Sequence, residues 1–242
     1  WTGNVCRREP DMAVARTNPW GETVIRPTRI AFDAEAVLIS SSLSKMKMIG
    51  KPMDIERLTP GEVLPPLYAA HIDVVLVGVH GVSGWLSEPR ATQDVDVLIK
   101  PGDRQRAARA VQKAFPDLYL DKYLEVWRLL RRHRPAVDLM LTRSPFYKAV
   151  FKDYAFISVA GMRTKVPSLE AALAMKFSAM LALNRDYEKR YKDASDFIGM
   201  AKSNKKIEHD KLQCYGELLY EGGAEEIEQM VKDARSGKPL EI

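Results

Sequence analysis

Asp94 and Asp96 are separated by a single valine in the run QDVDVLIK, Gln93 to Lys100. Side chains on a β-strand alternate between faces, so both carboxylates project from one face while Val95 and Val97 go to the other. At about 3.3 Å rise per residue the two Cα atoms stand about 7 Å apart, which lets the carboxylate oxygens converge on one cation. Without that cation their like charges repel. Hard oxygen ligands of this kind suit Mg2+, with Mn2+ as its alternative, because such ions take carboxylates together with the phosphate oxygens of a substrate. Asp138 supplies a third carboxylate in PAVDLMLT. A charge between Val137 and Leu139 on a strand is costly if it faces the core, so it must face a site or water. Each piece alone also fits a solvated strand end. The order carries the signal: a buried strand, a glycine-containing turn, a short helix, Arg-x-Thr, the Asp-x-Asp strand, then a strand with one aspartate among apolar residues.

The surrounding pattern supplies elements to hold these residues. A helix over about 61–71 leads into the apolar run DVVLVGV, which reads as a buried strand, and HGVSGWLSEP follows as a glycine-punctuated short helix and loop. Ala108, Val111 and Phe115 fall at helical spacing and predict a helix over about 102–115. Two further strands are expected within 124–130 and 136–141, and a short strand pair around Gly161. After Pro167 the character is helical to the end, beginning with SLEAALAMKFSAMLAL behind a capping serine. The expected fold is α+β: a mixed β-sheet flanked by helices over 46–166, then a C-terminal helical bundle over 167–242. Residues 1–45 show no sustained period and carry Pro10, Pro19 and Pro27, so they read as a peripheral or non-native N-terminal segment, with Met46, Met48 and Met53 as candidate starts of the folded protein.

With 242 residues, 46% of them hydrophobic, the chain can build a real core. No run approaches the roughly 18 apolar residues of a membrane span, no secretory signal is visible, and a cytoplasmic protein is expected. Cys6 and Cys214 lack any metal-ligand spacing and suggest neither a disulfide framework nor a zinc site. The formal charge of +5 permits polyanionic partners without demanding them.

Residues 76–99, LVGVHGVSGWLSEPRATQDVDVLI, resemble the signature of the DNA polymerase beta-like nucleotidyltransferase superfamily, and within it the AbiEii/AbiGii toxin-type branch. KFSAMLALNRDYEKRYKDASDFI resembles the helical motif of the same family, so the resemblance spans about 62–200. It implies a metal-dependent transfer of a nucleoside monophosphate from a nucleoside triphosphate, with Asp94, Asp96 and Asp138 as catalytic metal ligands. It also implies nucleotide contacts from the turn at Gly78, Gly81 and Ser83, and from Arg90, Lys176, Asp193 and Asp196. Each has a plainer reading. Ser83 can cap the short helix, Arg90 can pair with a carboxylate to fix its loop, Lys176 can snorkel to water, and Asp193 with Asp196 can form a solvated acidic face or orient nearby cations. Thr92 reads as a turn residue and His80 as incidental.

The turn departs from the family pattern, since Gly78 is followed by Val79 and His80 before Gly81 comes. A side chain there can keep main-chain amides from a phosphate. That departure supports one alternative, a catalytically degraded nucleotide- or RNA-binding protein of the same fold; a small-molecule nucleotidyltransferase of aminoglycoside type is another, because the acceptor is open. The toxin-type resemblance implies tRNA or another RNA as acceptor and a cognate antitoxin protein as partner.

Overall fold

The computed structural model describes residues 16–17, 23–24, 32–46 and 57–240. Met48, Met53 and most of the first 31 residues lie outside the described residues. The elements run β1 (Arg16–Thr17), β2 (Thr23–Val24), α1 (Glu35–Met46), α2 (Pro60–Ala69), β3 (Val74–Leu76), α3 (Gly78–Val82), β4 (Val95–Ile99), α4 (Arg104–Ala114), β5 (Tyr119–Lys122), β6 (Val126–Arg131), β7 (Arg134–Leu141), α5 (Pro145–Lys152), β8 (Tyr154–Val159), β9 (Met162–Pro167), α6 (Leu169–Leu181), α7 (Tyr187–Ser203), α8 (His209–Glu217) and α9 (Gly223–Ser236). Apart from the small β1–β2 pair, the strands form one mixed sheet in the order β5-β6-β7-β4-β3-β9-β8. β4 runs parallel to β7 and β3 parallel to β9, while the other neighbours are antiparallel.

Local chemistry sets the boundaries. α2 starts at Pro60 because Glu62 folds back to accept from the Thr59 main-chain N–H at 2.9 Å and hydroxyl at 2.6 Å. Ser144, Ser168 and Asp186 cap α5, α6 and α7 by accepting from the first-turn amides of Tyr147, Ala171 and Glu188. The β6–β7 and β8–β9 hairpins turn through pairs of left-handed residues, Arg132 with His133 and Ala160 with Gly161.

β4 and β7 lie inside the sheet, and Val95, Val97, Val137 and Leu139 are fully buried on them. α6 is apolar around most of its circumference, with Leu173, Phe177 and Met180 fully buried, so it serves as the inner helix of the C-terminal bundle. Where the missing period had suggested a peripheral segment, α1 packs on the core: Ala36, Val37, Ser40 and Ser44 are buried, and the Phe32 ring just before it meets Trp85 edge-on at 5.1 Å. α5 and β5 are elements that the sequence pattern had not indicated. One further correction concerns cysteine. Cys214, on α8, is disulfide-bonded, and Cys6 lies outside the described residues. Among the described residues no helix is long and apolar enough to cross a membrane.

Candidate active site

The parallel pairing of β4 with β7 puts Asp96 opposite Asp138, and Asp94 stands at the entry to β4. One carboxylate oxygen from each of the three lies within 4.8 Å of the others. A cation about 2.1 Å from each ligand needs its oxygens roughly 3–4 Å apart, so small side-chain rotations suffice to close the group on one ion. The donor set, three carboxylates and no nitrogen or sulfur, fits Mg2+ or Mn2+.

Gly78 explains why β3 can end against this group. Its φ is +60°, and a Cβ there would sit 1.9 Å from Asp96 Oδ2. Any side chain would displace the carboxylate, so glycine is required at that position. The Val77 main-chain N–H donates to the Asp96 carbonyl at 2.9 Å and fixes the approach. Gly81 is required for a different reason, since its Cβ would meet the Leu76 carbonyl at 2.2 Å. Ser83 is fully buried and donates its hydroxyl to the His80 carbonyl at 2.8 Å. His80 itself is buried, its Nδ1 lies 3.2 Å from Ser40 Oγ, and burial pushes its pKa down to about 4, which keeps the ring neutral.

Burial raises the pKa of Asp94, and the Asp138 charge adds to it. Asp96 is pushed well above the usual carboxylate range, first by burial and then by Asp94 and Asp138. The compensating cation is Arg128, directly opposite Asp138 in the antiparallel β6–β7 pair, whose guanidinium forks onto both Asp138 oxygens at 2.8 and 2.6 Å. The sequence pattern places Arg128 only within an expected strand over 124–130 and gives it no partner. The available signal was register: alternation alone cannot show which residue of a neighbouring strand faces Asp138.

The helical residues form a second charged group. Lys176 is only 6% exposed, and its ammonium lies 2.8 Å from Asp193 and 2.7 Å from Asp196. Arg90 forks onto Asp196 with two contacts of 2.7 Å, and Arg185, in the loop between α6 and α7, reaches Asp193 at 2.7 Å. Burial opposes the charge of Asp196, but Lys176 and Arg90 outweigh it and hold its pKa below the ordinary value. Asp193 and Asp196 are therefore buried partners of cations, not a solvated face. The group connects to the aspartate cluster, since the charges of Lys176 and Arg185 both act on Asp96. Arg185 was not found in the sequence because a lone arginine in a short loop belongs to no periodic pattern.

No protein-family model matches the chain, and no curated protein matches it. Among solved structures it is similar to an antigenic nucleotidyltransferase-like protein from Paracoccidioides brasiliensis, at 18% identity and a TM-score of 0.48, over 82% of this chain and 94% of that one. It is also similar to ANT(2")-Ia in complex with adenylyl-2"-tobramycin, at 13% identity and a TM-score of 0.45, over 73% and 94% of the two chains. Likenesses this distant do not assign an activity or an acceptor.

Proposed function

We propose that the protein is a metal-dependent nucleotidyltransferase that moves a nucleoside monophosphate from a nucleoside triphosphate to an acceptor and releases pyrophosphate. The observation that carries this reading is the convergence of Asp94, Asp96 and Asp138 from two adjacent parallel strands, with the Gly78 backbone pressed against Asp96. Asp94, Asp96 and Asp138 would together hold Mg2+ or Mn2+. Bound there, the ions would neutralise the triphosphate and stabilise the entering and leaving oxygens. The protein's own part is positional: the strands fix the carboxylates, and Arg128 holds Asp138 in one orientation. Arg185, 40% exposed and electrostatically coupled to Asp96, is the cation of the helical group most open to a phosphate, since the Lys176 ammonium is enclosed by two carboxylates.

The acceptor is proposed from the sequence motif alone: tRNA or another RNA, with a cognate antitoxin as partner of the free enzyme, or a small hydroxylated molecule of the aminoglycoside kind. Incubation with each α-labelled nucleoside triphosphate, Mg2+ and either total RNA or an aminoglycoside panel tests this. Label on an acceptor together with released pyrophosphate is expected. A rival reading, triphosphate binding without turnover, draws on the inward-turned Ser83 hydroxyl and on Val79 in the glycine turn. Mg2+-dependent binding with no pyrophosphate from any acceptor would favour the rival.

A further inference from the structure

The structure assigns α1 a role in the aspartate site: Ser40 and Ser44 are positioning residues that fix the segment Arg90–Asp94, and Thr92 carries that position to the Asp94 carboxylate. This inference rests on the metal-binding reading of the site.

Ser40 and Ser44 are four residues apart on one face of α1, and both are buried. Ser40 Oγ donates to the Arg90 carbonyl at 2.7 Å. With its proton committed there, the oxygen accepts from His80 Nδ1–H at 3.2 Å, which ties α1 to the glycine turn and fixes the histidine tautomer. Ser44 Oγ donates to the Ser40 carbonyl at 2.7 Å and accepts from the Thr92 main-chain N–H at 3.0 Å. The Thr92 hydroxyl then donates to Asp94 Oδ1 at 3.0 Å. Arg57 holds the same residue from the far side, donating to the Thr92 carbonyl at 2.9 Å.

Asp94 precedes the regular part of β4, so the sheet ladder alone does not set its orientation. A segment outside a ladder needs other partners for its backbone groups, and here two serines of one helix supply them. The Thr92 hydroxyl engages one Asp94 oxygen and so restricts rotation of the carboxylate that stands beside Asp96 and Asp138. Partners of this kind around a metal ligand fix its orientation, and their loss weakens metal affinity by roughly 10- to 100-fold.

The test uses the full chain and Mn2+ alone, with affinity read by electron paramagnetic resonance and folding by thermal melts. Ser44→Ala and Thr92→Val are each expected to weaken Mn2+ on the order of 10-fold. Because they lie on one chain of contacts, the double variant should bind no more weakly than Thr92→Val alone. Ser41→Ala, which removes only a hydroxyl bonded within α1 to the Val37 carbonyl, should bind as the wild type does. If Ser44→Ala fails to fold, Thr92→Val decides, since its side chain is only half-buried. Unchanged Mn2+ affinity in Thr92→Val, with affinity abolished in Asp94→Asn, would overturn the positioning role and leave the metal site standing. No Mn2+ binding by the wild type would overturn the metal reading itself, and the inference with it.

Discussion

Three carboxylates held together without a cation are a local excess of negative charge, and Arg128 answers only part of it. Asp138 is buried, so truncating its partner leaves an uncompensated charge. Breaking a buried pair costs about 3–5 kcal/mol, and with Arg128 33% exposed a loss of about 2 kcal/mol is the better expectation for Arg128→Gln. Mg2+ can replace the missing charge, so the rise in melting temperature on adding Mg2+ should be larger in this variant than in the wild type. Equal Mg2+ shifts would mean that Asp138 does not share the ion. The carboxylates also set a pH dependence. Asp94 and Asp96 have raised pKa values in the metal-free fold, so their contribution to stability is present below the unfolded carboxylate pKa and is lost as pH rises through the raised values. Metal binding must displace those protons, so the Mg2+ shift in melting temperature should grow as pH rises through the raised carboxylate values. Asp96→Asn should remove both that dependence and Mn2+ binding while leaving the metal-free protein at least as stable as the wild type. The aspartates were legible in the sequence because a period of two fixes which side chains share a face. Arg128 was not, because its partnership depends on the register of a hairpin whose turn, Arg132 with His133, carries no glycine to announce it.

At the scale of elements, α1 shows what hides a helix from periodicity. Its buried stripe is Ala36, Val37, Ser40 and Ser44, and half of that stripe is polar because the serines bond across to Arg90, Thr92 and His80. A reading that counts apolar residues sees no face there. The opposite case is β4, whose alternating valines and aspartates made both the strand and its chemistry visible. α5 escaped because eight residues between two strands offer barely two turns of pattern, even with Phe146, Val150 and Phe151 on one buried face. The role of α1 makes truncation informative. A chain starting at Met46 loses the burial of Phe32, Ala36 and Val37 and leaves the Arg90 carbonyl and Thr92 amide without their serine partners. Two large apolar side chains at about 1.5–3 kcal/mol each predict a loss of several kcal/mol. The truncated protein should melt many degrees lower or fail to fold. A melting temperature equal to that of the full chain would return α1 to the periphery.

Taken as a whole, the molecule divides in sequence at Pro167, where strands give way to helices, and that change of pattern suggested two domains. Its contacts favour one cooperative unit. The Trp85 indole donates to the Pro167 carbonyl at 3.1 Å, and Asn204 at the end of α7 donates to the Trp85 carbonyl at 2.8 Å. Asp153, between α5 and β8, accepts from the hydroxyls of Ser168 and Tyr215 and pairs with Lys211 at 2.8 Å, so α6 and α8 are anchored at one carboxylate before the sheet ends. The charged group around Lys176 adds a third tie, because Arg90 belongs to the sheet half while Asp196 belongs to α7. Parts that share a core and three polar anchors should not melt separately. Far-UV circular dichroism, weighted to the helices, and tryptophan fluorescence, which includes Trp85 and Trp127 of the sheet half, should therefore give one shared midpoint. Lys176→Met sharpens the test. It leaves Asp193 and Asp196 buried with only their arginines, at an expected cost of about 3 kcal/mol. In a cooperative molecule both signals should move down together by the same amount. A fluorescence midpoint that stays in place while the helical signal falls would show that residues 167–242 unfold on their own, and that the boundary read from the sequence is thermodynamic as well as topological.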